Sequence, residues 1–381
     1  MHRDDNGVAG LAWIKHSSWP TSPNGKSASL SLVDLFCGCG GMTLGVWEAA
    51  RQRNRQVAVR LAVDSAPEPL EVYRANFDVG QERARVDDVG RIFAGERGSA
   101  LTSVERFWLG RSKQVDLIIA GPPCQGHSDL NNSTRREDPR NALYLRVSRA
   151  VEVLRPQAVI IENVPAVLLD KNQVVQHAVK WLTGLEYQVS ENVVKMTNFG
   201  IPQRRKRHIL VAVRSGVFKF PDFASGQNSS VTAGQFMAGL ENEPEERLGI
   251  FYRPSRMTDP NLRRVDYLFD HRLHDLPDSM RPPCHRDKEH AYVSMYGRMH
   301  WDKPAQTLTS GFGSMGQGRY VHPKRRRLLT PHEASRLQGF PDFFDFSSAR
   351  TITWLRGMIA NAVPPQLTTA LVTRLIDDGM L

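Results

Sequence analysis

The chain has 381 residues, enough for a large core in two domains, and its 40% hydrophobic and 24% charged content is that of a soluble globular protein. No apolar run approaches the ~20 residues of a membrane span, and the polar start has no apolar signal-peptide core, so a cytoplasmic protein is expected. A net charge of +10 and a pI near 9.6 favour a polyanionic partner, a merely basic surface being the plainer alternative.

The four cysteines, Cys37, Cys39, Cys124 and Cys284, show neither paired CxxC spacing nor zinc-site His partners, so no disulfide and no metal is expected. Residues 1–29 mix Ser, Pro, Gly, Asn and charges and read as a flexible extension. Leu30–Phe36 reads as a first buried strand. Cys37-Gly38-Cys39-Gly40-Gly41 follows, then a helical pattern from Met42 to Arg51. Strand, glycine turn and helix open a nucleotide-binding unit, because glycines let backbone approach a ligand at a helix N-terminus. Thr43 stands where the third Gly of GxGxxG would be. That argues against a pyrophosphate and leaves room for an adenosyl ligand, although a GxGG turn by itself can be only a tight turn.

A second strand, Val57–Val63, ends at Asp64, where such folds hold ribose hydroxyls or cap the next helix. Val86-Asp87-Asp88-Val89 offers an acid for an adenine amino group. The apolar strand Val115–Ala120 then runs into Gly121-Pro122-Pro123-Cys124, a thiol on a stiff mount. The polar stretch 126–140 reads as a movable loop, which suits a nucleophile; a buried structural Cys is the alternative. A helix to Leu154 and a strand Ala158–Ile161 deliver Glu162-Asn163-Val164. A carboxylate there is costly unless it works as a proton donor or is neutralised by a neighbouring Arg. The leader Gln203-Arg204-Arg205-Lys206-Arg207 enters the strand His208–Val213, its alternation placing Arg205 and Arg207 on one face.

Phe36, Asp64, Cys124 and Glu162 thus fall at or just beyond strand C-termini, the ligand edge of a doubly wound parallel sheet. From Ser215 to about Met299 periodicity weakens, as in a smaller loop-rich domain. The basic clusters 204–208 and 324–327 are expected to meet phosphates, as is the glycine-rich loop Ser310–Arg319. Thr330 is expected to cap a helix opening at Pro331, and the final helix, Gln366–Ile376, carries an apolar stripe that must pack on the first domain.

In this order, over residues 31–376, the motifs resemble the DNA (cytosine-5) methyltransferases that use S-adenosylmethionine. The resemblance implies an α/β, doubly wound (Rossmann-like), mostly parallel catalytic domain (30–213 and 328–381) and a target-recognition domain (214–327). It places Phe36 against adenine in a cofactor loop with Gly38, Gly40 and Gly41, Asp64 on the ribose, and Asp88 with Val89 at the adenine edge. Pro123 and Leu143 border the cofactor, and the closing Asn361-Ala362-Val363-Pro364 returns to it, with Asn361 and Val363 as contacts. Pro122-Pro123-Cys124-Gln125 matches the catalytic Pro-Cys-Gln, Glu162 the acid that holds the base, and Arg205 and Arg207 the pair that supports nucleophile and base. His127, Ala360 and Asp64 replace the usual Phe, Gly and Glu. The implied chemistry is addition of Cys124 to C6 of a flipped-out cytosine in double-stranded DNA, then methylation at C5. The implied setting is a monomer serving a restriction-modification system, with a cognate restriction endonuclease as functional partner. An RNA cytosine methyltransferase and an inactive DNA-binding relative are the rivals. The first lacks its Cys-Phe-Thr signature here, and the second predicts damage to motifs that are intact.

Overall fold

Short β-branched apolar runs build the core of one of the chain's two compact units. In the computed structural model, which describes residues 11–21, 28–123, 143–221, 231–240, 249–286 and 294–381, they form one seven-stranded sheet. The strands are β1 (Ser29–Leu35), β2 (Gln56–Asp64), β3 (Ala84–Val86), β4 (Leu117–Ala120), β5 (Ala158–Asn163), β6 (Gln188–Lys195) and β7 (Lys206–Val213). Their order is β3-β2-β1-β4-β5-β7-β6. The first five are mutually parallel, and β7 runs antiparallel to both β5 and β6. From β1 the chain winds outward through β2 and β3, then returns to place β4 on β1's other side. The switch point therefore lies between the C-terminal ends of β1 and β4, where an open sheet of this kind binds ligands.

The helices of this half are α1 (Gly41–Gln52), α2 (Pro67–Phe77), α3 (Val89–Ile92), α4 (Ser103–Ser112), α5 (Leu143–Leu154) and α6 (Val174–Gly184). Val33, Leu35, Ile118, Val147, Val151, Ile161 and Leu210 belong to one buried core that joins sheet to helices.

By contact the chain divides into two compact units. One comprises Pro20–Lys195, Lys206–Gln227 and Val363–Leu381; the other comprises Met1–Trp19, Met196–Arg205 and Asn228–Ala362. These boundaries differ from the expected 214 and 328, because the segments around residues 200 and 330–362 group with the middle of the chain.

The sheet unit ends in α11 (Pro365–Asp377); the other unit contains α7 (Ala233–Met237), α8 (Asp259–Asp270), α9 (Pro331–Leu337) and α10 (Ile352–Asn361). The apolar stripe of α11 packs on α1, with Leu367, Leu371 and Leu375 buried and Thr369 Oγ1 donating to the Gly45 carbonyl at 3.2 Å. A side chain at Gly45 would press to within 2.3 Å of the Pro365 carbonyl, so the absence of a Cβ permits this approach.

In the second unit Thr330 caps α9 as expected, accepting the Glu333 N–H at 3.1 Å while Glu333 reaches back to the Thr330 N–H at 2.8 Å. The expectation of a flexible extension over 1–29 fails for residues 11–19. Ile14 is fully buried, its carbonyl accepts the Asp342 N–H at 3.0 Å, and Trp13 and Trp19 both pack on Phe343. Burial of Ile14 and the packing of two half-buried tryptophans on Phe343 outweigh the polar residues around them.

Candidate active site

The glycine turn after β1 is the first component. Phe36, Gly38 and Gly40 all have positive φ (60°, 53° and 95°), so the chain reverses sharply before α1. Gly40 is obligatory: a Cβ there would lie 2.3 Å from the Phe77 ring and 2.9 Å from the Tyr73 ring of α2. On Gly38 a Cβ would meet nothing within 4 Å, so the turn is open on that side.

Asp64, at the end of β2, braces this turn. Its Oδ2 accepts the Gly38 N–H and its Oδ1 the Ala66 N–H, both at 2.9 Å. Burial raises its pKa, against the pull of these backbone donors. The Asp64 carbonyl accepts the Asp87 N–H at 3.0 Å, which sets β3's exit beside it. Asp88 follows, exposed, as the N-cap of α3, accepting the Gly90 N–H at 2.7 Å. Val89 is buried beneath it. Leu143, the first residue of α5, packs over Gly90, its Cδ2 only 3.4 Å from where a Cβ on Gly90 would stand. Phe36, Gly38, Gly40, Gly41, Asp64, Asp88, Val89 and Leu143 thus belong to one unit, along the sheet's C-terminal edge.

Beneath the turn lies a group whose state only the fold reveals. Asp34 in β1 is 1% exposed and accepts the Thr43 hydroxyl at 2.6 Å, and that hydroxyl lies 3.0 Å from the Tyr73 hydroxyl. Burial, with the nearby Asp64 charge adding to it, lifts the Asp34 pKa to about 8 although the Thr43 hydroxyl opposes the rise, so Asp34 is largely protonated at neutral pH. Cys37 and Cys39 are buried free thiols whose pKa values burial also raises, to about 12 for Cys39, and this makes them inert.

The second component gathers across β4, β5 and β7. Gly121 leaves β4 with its N–H on the Leu35 carbonyl at 3.2 Å, and the Pro122 carbonyl accepts the Asn163 side-chain amide at 3.3 Å. Asn163 therefore ties the exit of β4 to the end of β5. Glu162 precedes it, 8% exposed, with Oε1 2.5 Å from Arg207 Nε on β7. The ion pair is close, yet among the described residues Oε1 is buried without a hydrogen-bond donor of good geometry. Oε2 faces Gly121, where an added Cβ would lie 3.9 Å away. The neutralising Arg left open by the sequence is thus Arg207, brought within reach by the antiparallel pairing of β5 and β7. Pro123 stands at this exit; Cys124, Gln125, His127 and the loop 126–140 lie outside the described residues.

Arg205 does not share a strand face with Arg207. It precedes β7, belongs to the other unit, and donates to the Leu308 and Ala360 carbonyls at 3.2 and 3.0 Å. Asn361 also belongs to that unit, at the exposed end of α10, whereas Val363 belongs to the sheet unit. The basic cluster 324–327 is largely spoken for. Arg326 pairs with Asp266 and Asp270 of α8 at 3.0 and 2.6 Å, Arg327 grips Glu333 through two 2.8 Å bonds, and Lys324 sits 3.5 Å above the Trp301 ring. Arg326 and Arg327 are thus both paired internally, Arg326 through exposed ion pairs and Arg327 through a buried one. Among the described residues no group of three His, Cys, Asp or Glu side chains converges to hold a metal, and no helix is long and apolar enough to cross a membrane.

The C-5 cytosine-specific DNA methylase family matches residues 30–377, from β1 to the end of α11. This chain is a member of that family. The methylase is 41% identical to the Type II methyltransferase M1.BsuMI of Bacillus subtilis over 94% of its own length and 82% of that protein. It is 29% identical to the Type II methylase M.HgiDII of Herpetosiphon aurantiacus, over 88% and 92% of the two chains. The structure of the Entamoeba histolytica methyltransferase EhMeth shares the fold, with a TM-score of 0.60 at 15% identity and coverage of 93% and 99%. Sequence reasoning missed two contributors to the methylase site: the neutral Asp34 and the tie from Asn163 to Pro122. Asp34 was visible as an acid inside an apolar strand; no local signal marks the tie.

Proposed function

We propose that this methylase transfers a methyl group from S-adenosylmethionine to C5 of a cytosine in duplex DNA, through a covalent adduct of Cys124. The observation that carries the reading is the buried Glu162–Arg207 pair set beside the Pro122-Pro123 exit of β4 and tied to it by Asn163. Pro123, the residue before Cys124 in the chain, stands at this exit, so the thiol of residue 124 is proposed to work with Glu162. The donor set suits an adenosyl ligand. Two carboxylates, Asp64 and Asp88, stand on adjacent strand ends beside an open glycine turn, where a phosphate would be repelled. Bound there, S-adenosylmethionine supplies one electrophilic methyl group on a sulfonium.

On this reading the chain makes C5 nucleophilic enough to take that methyl. Cys124, as thiolate, adds to C6 of the ring, and the electron pair of the C5–C6 bond becomes available at C5. Glu162 binds N3 and the exocyclic amine and accommodates the charge that develops at N3. Arg207 keeps Glu162 in place, and Arg205 braces the segments at Leu308 and Ala360. After C5 has taken the methyl, a base removes the C5 proton and the C6–sulfur bond breaks, returning the thiolate. A stacked base cannot be approached in this way, so the cytosine leaves the duplex first. The Type II names of the relatives support the modification half of a restriction-modification system as the biological role.

The test is trapping on duplex DNA containing 5-fluorocytosine, whose fluorine blocks the final elimination. Wild-type protein with S-adenosylmethionine should form a stable adduct that maps to Cys124, and Cys124→Ser should form none. Bisulfite sequencing of host DNA would locate the site and supply the substrate. Absence of an adduct on duplex DNA, with methyl transfer to transfer RNA instead, would overturn the DNA assignment.

A further inference from the structure

The arginines of the second unit are, for the most part, already engaged. Arg319 holds Asp275 at 2.5 Å, Arg326 holds Asp266 and Asp270, and Arg327 holds Glu333. Arg298 is different. Its guanidinium lies 4.7 Å from the centroid of the Phe269 ring, and among the described residues it has no ion pair and no side-chain hydrogen bond, its Nε being buried without an acceptor there. Arg326 lies 5.3 Å from the centroid of that same ring, and two of α8's carboxylates, Asp266 and Asp270, are taken by Arg326.

The mount of Arg298 is rigid. Its N–H donates to the His274 carbonyl at 2.9 Å, and its carbonyl accepts from His274 Nδ1 at 3.1 Å and from Arg319 Nη1 at 3.4 Å. It also forms a parallel bridge with Val321, whose carbonyl accepts the following N–H, that of Met299. His274 stacks on His300 at a ring separation of 3.8 Å. The surroundings are cationic. Burial, and then the charges of His274, Arg319 and Lys303, bring His300 down to about 4. Burial also lowers Arg298 itself. A guanidinium that is stacked, partly desolvated and unpaired inside a basic cluster is unfavourable by itself. It is also prepared in advance for an acceptor with two oxygens, since its free Nη atoms form a planar fork.

We propose that Arg298 is a DNA-anchoring residue whose guanidinium fork, stacked on Phe269, grips a backbone phosphodiester of the substrate duplex. This rests on the reading of the protein as a DNA methyltransferase. The phosphodiester is favoured over a base edge because the neighbouring side chains supply positive potential, which a phosphate rewards and a neutral base does not. Arg298 thereby does the work that the run at 324–327 suggests from the sequence.

The experiment compares wild type with Arg298→Met, which keeps the aliphatic packing on Phe269, and Arg298→Lys, which keeps the charge without the fork. Affinity is read by fluorescence anisotropy on a duplex carrying the methylated site and on an unrelated duplex, over a series of KCl concentrations. Arg298→Met should bind both duplexes about tenfold more weakly, and its log affinity should fall less steeply with log salt, by about one in the slope. Affinity for S-adenosylmethionine should stay at the wild-type value and the thermal midpoint should hold or rise, since an unfavourable buried charge is removed, which separates lost contact from lost fold. Arg298→Lys should recover the slope and part of the affinity. A Met variant that binds both duplexes as tightly as a methylating wild type would overturn this inference alone. A loss confined to the specific duplex would also overturn it, in favour of a base contact. A wild-type chain that neither binds nor methylates duplex DNA would overturn the parent reading and this one with it.

Discussion

Replacing Glu162 by Gln separates what the buried ion pair does for the fold from what the acid does for the reaction. Glu162 and Arg207 have side chains only 10% and 11% exposed, with Nε and Oε1 2.5 Å apart. Removing one charge of such a pair leaves the other uncompensated, which costs about 3 kcal/mol. In a unit of this size that lowers the thermal midpoint by roughly 6–12 °C. Arg207→Met should cost a similar amount. The double variant Glu162→Gln/Arg207→Met should lose less than the sum of the two by about 1–2 kcal/mol, because no charge is then stranded. Activity should not follow that pattern. Loss of a group that binds the base and shares its proton slows turnover by about 10²–10⁴-fold, or roughly 3–5 kcal/mol of barrier, and the double variant should be no faster than Glu162→Gln. Melting curves and single-turnover transfer of labelled methyl groups to duplex DNA give both quantities on the same samples. A double variant that regained activity along with stability would refute the reasoning, since Glu162 would then act only as Arg207's counterion.

Two further outcomes are expected. Arg149 on α5 is fully buried and donates to both oxygens of Glu105 at 2.9 Å, to Glu152 at 2.7 Å and to the Glu96 carbonyl at 3.0 Å. Arg149→Met should therefore destabilise by about 3–5 kcal/mol, and Arg149→Met/Glu105→Leu by less; chemical denaturation checks this, and additive losses would refute it. Asp34 is raised from 3.8 to about 8 in the fold. Its contribution to stability is therefore full below pH 4 and is lost as pH rises to about 8, because the unfolded carboxyl ionises first. Asp34→Asn removes this titration, so its melting temperature should gain on wild type steadily from pH 5 to 8 and then hold level; parallel profiles would show Asp34 to be ionised in the folded state.

What the sequence by itself determined is what short-range chemistry controls. Short β-branched apolar runs bounded by turn residues read as buried strands, so β1, β2, β4 and β5, with Asp64 and Glu162 at the ends of β2 and β5, are legible in the chain, as is the Thr330 cap. The positive φ values at Gly38 and Gly40 belong to the same class, since a turn of that tightness admits little else. Pairings over long separations were decided only when the chain closed. Arg207 reaches Glu162 because β7 runs antiparallel to β5, with Ile209 across from Glu162 and Arg207 two residues before it, whereas Arg205, two residues earlier still, braces two carbonyls in the other unit. The run 324–327 reads as one unpaired basic cluster until α8 sets Asp266 and Asp270 beside Arg326, and Arg298, unremarkable in the sequence, has a guanidinium that meets no ion-pair partner among the described residues. Residues 11–19 read as a tail by composition and are packed because Phe343 receives two of their tryptophans. Periodicity and turn preference act over a few residues, but the partner of a charge and the proton on a buried acid depend on which distant groups the fold brings within a few ångströms.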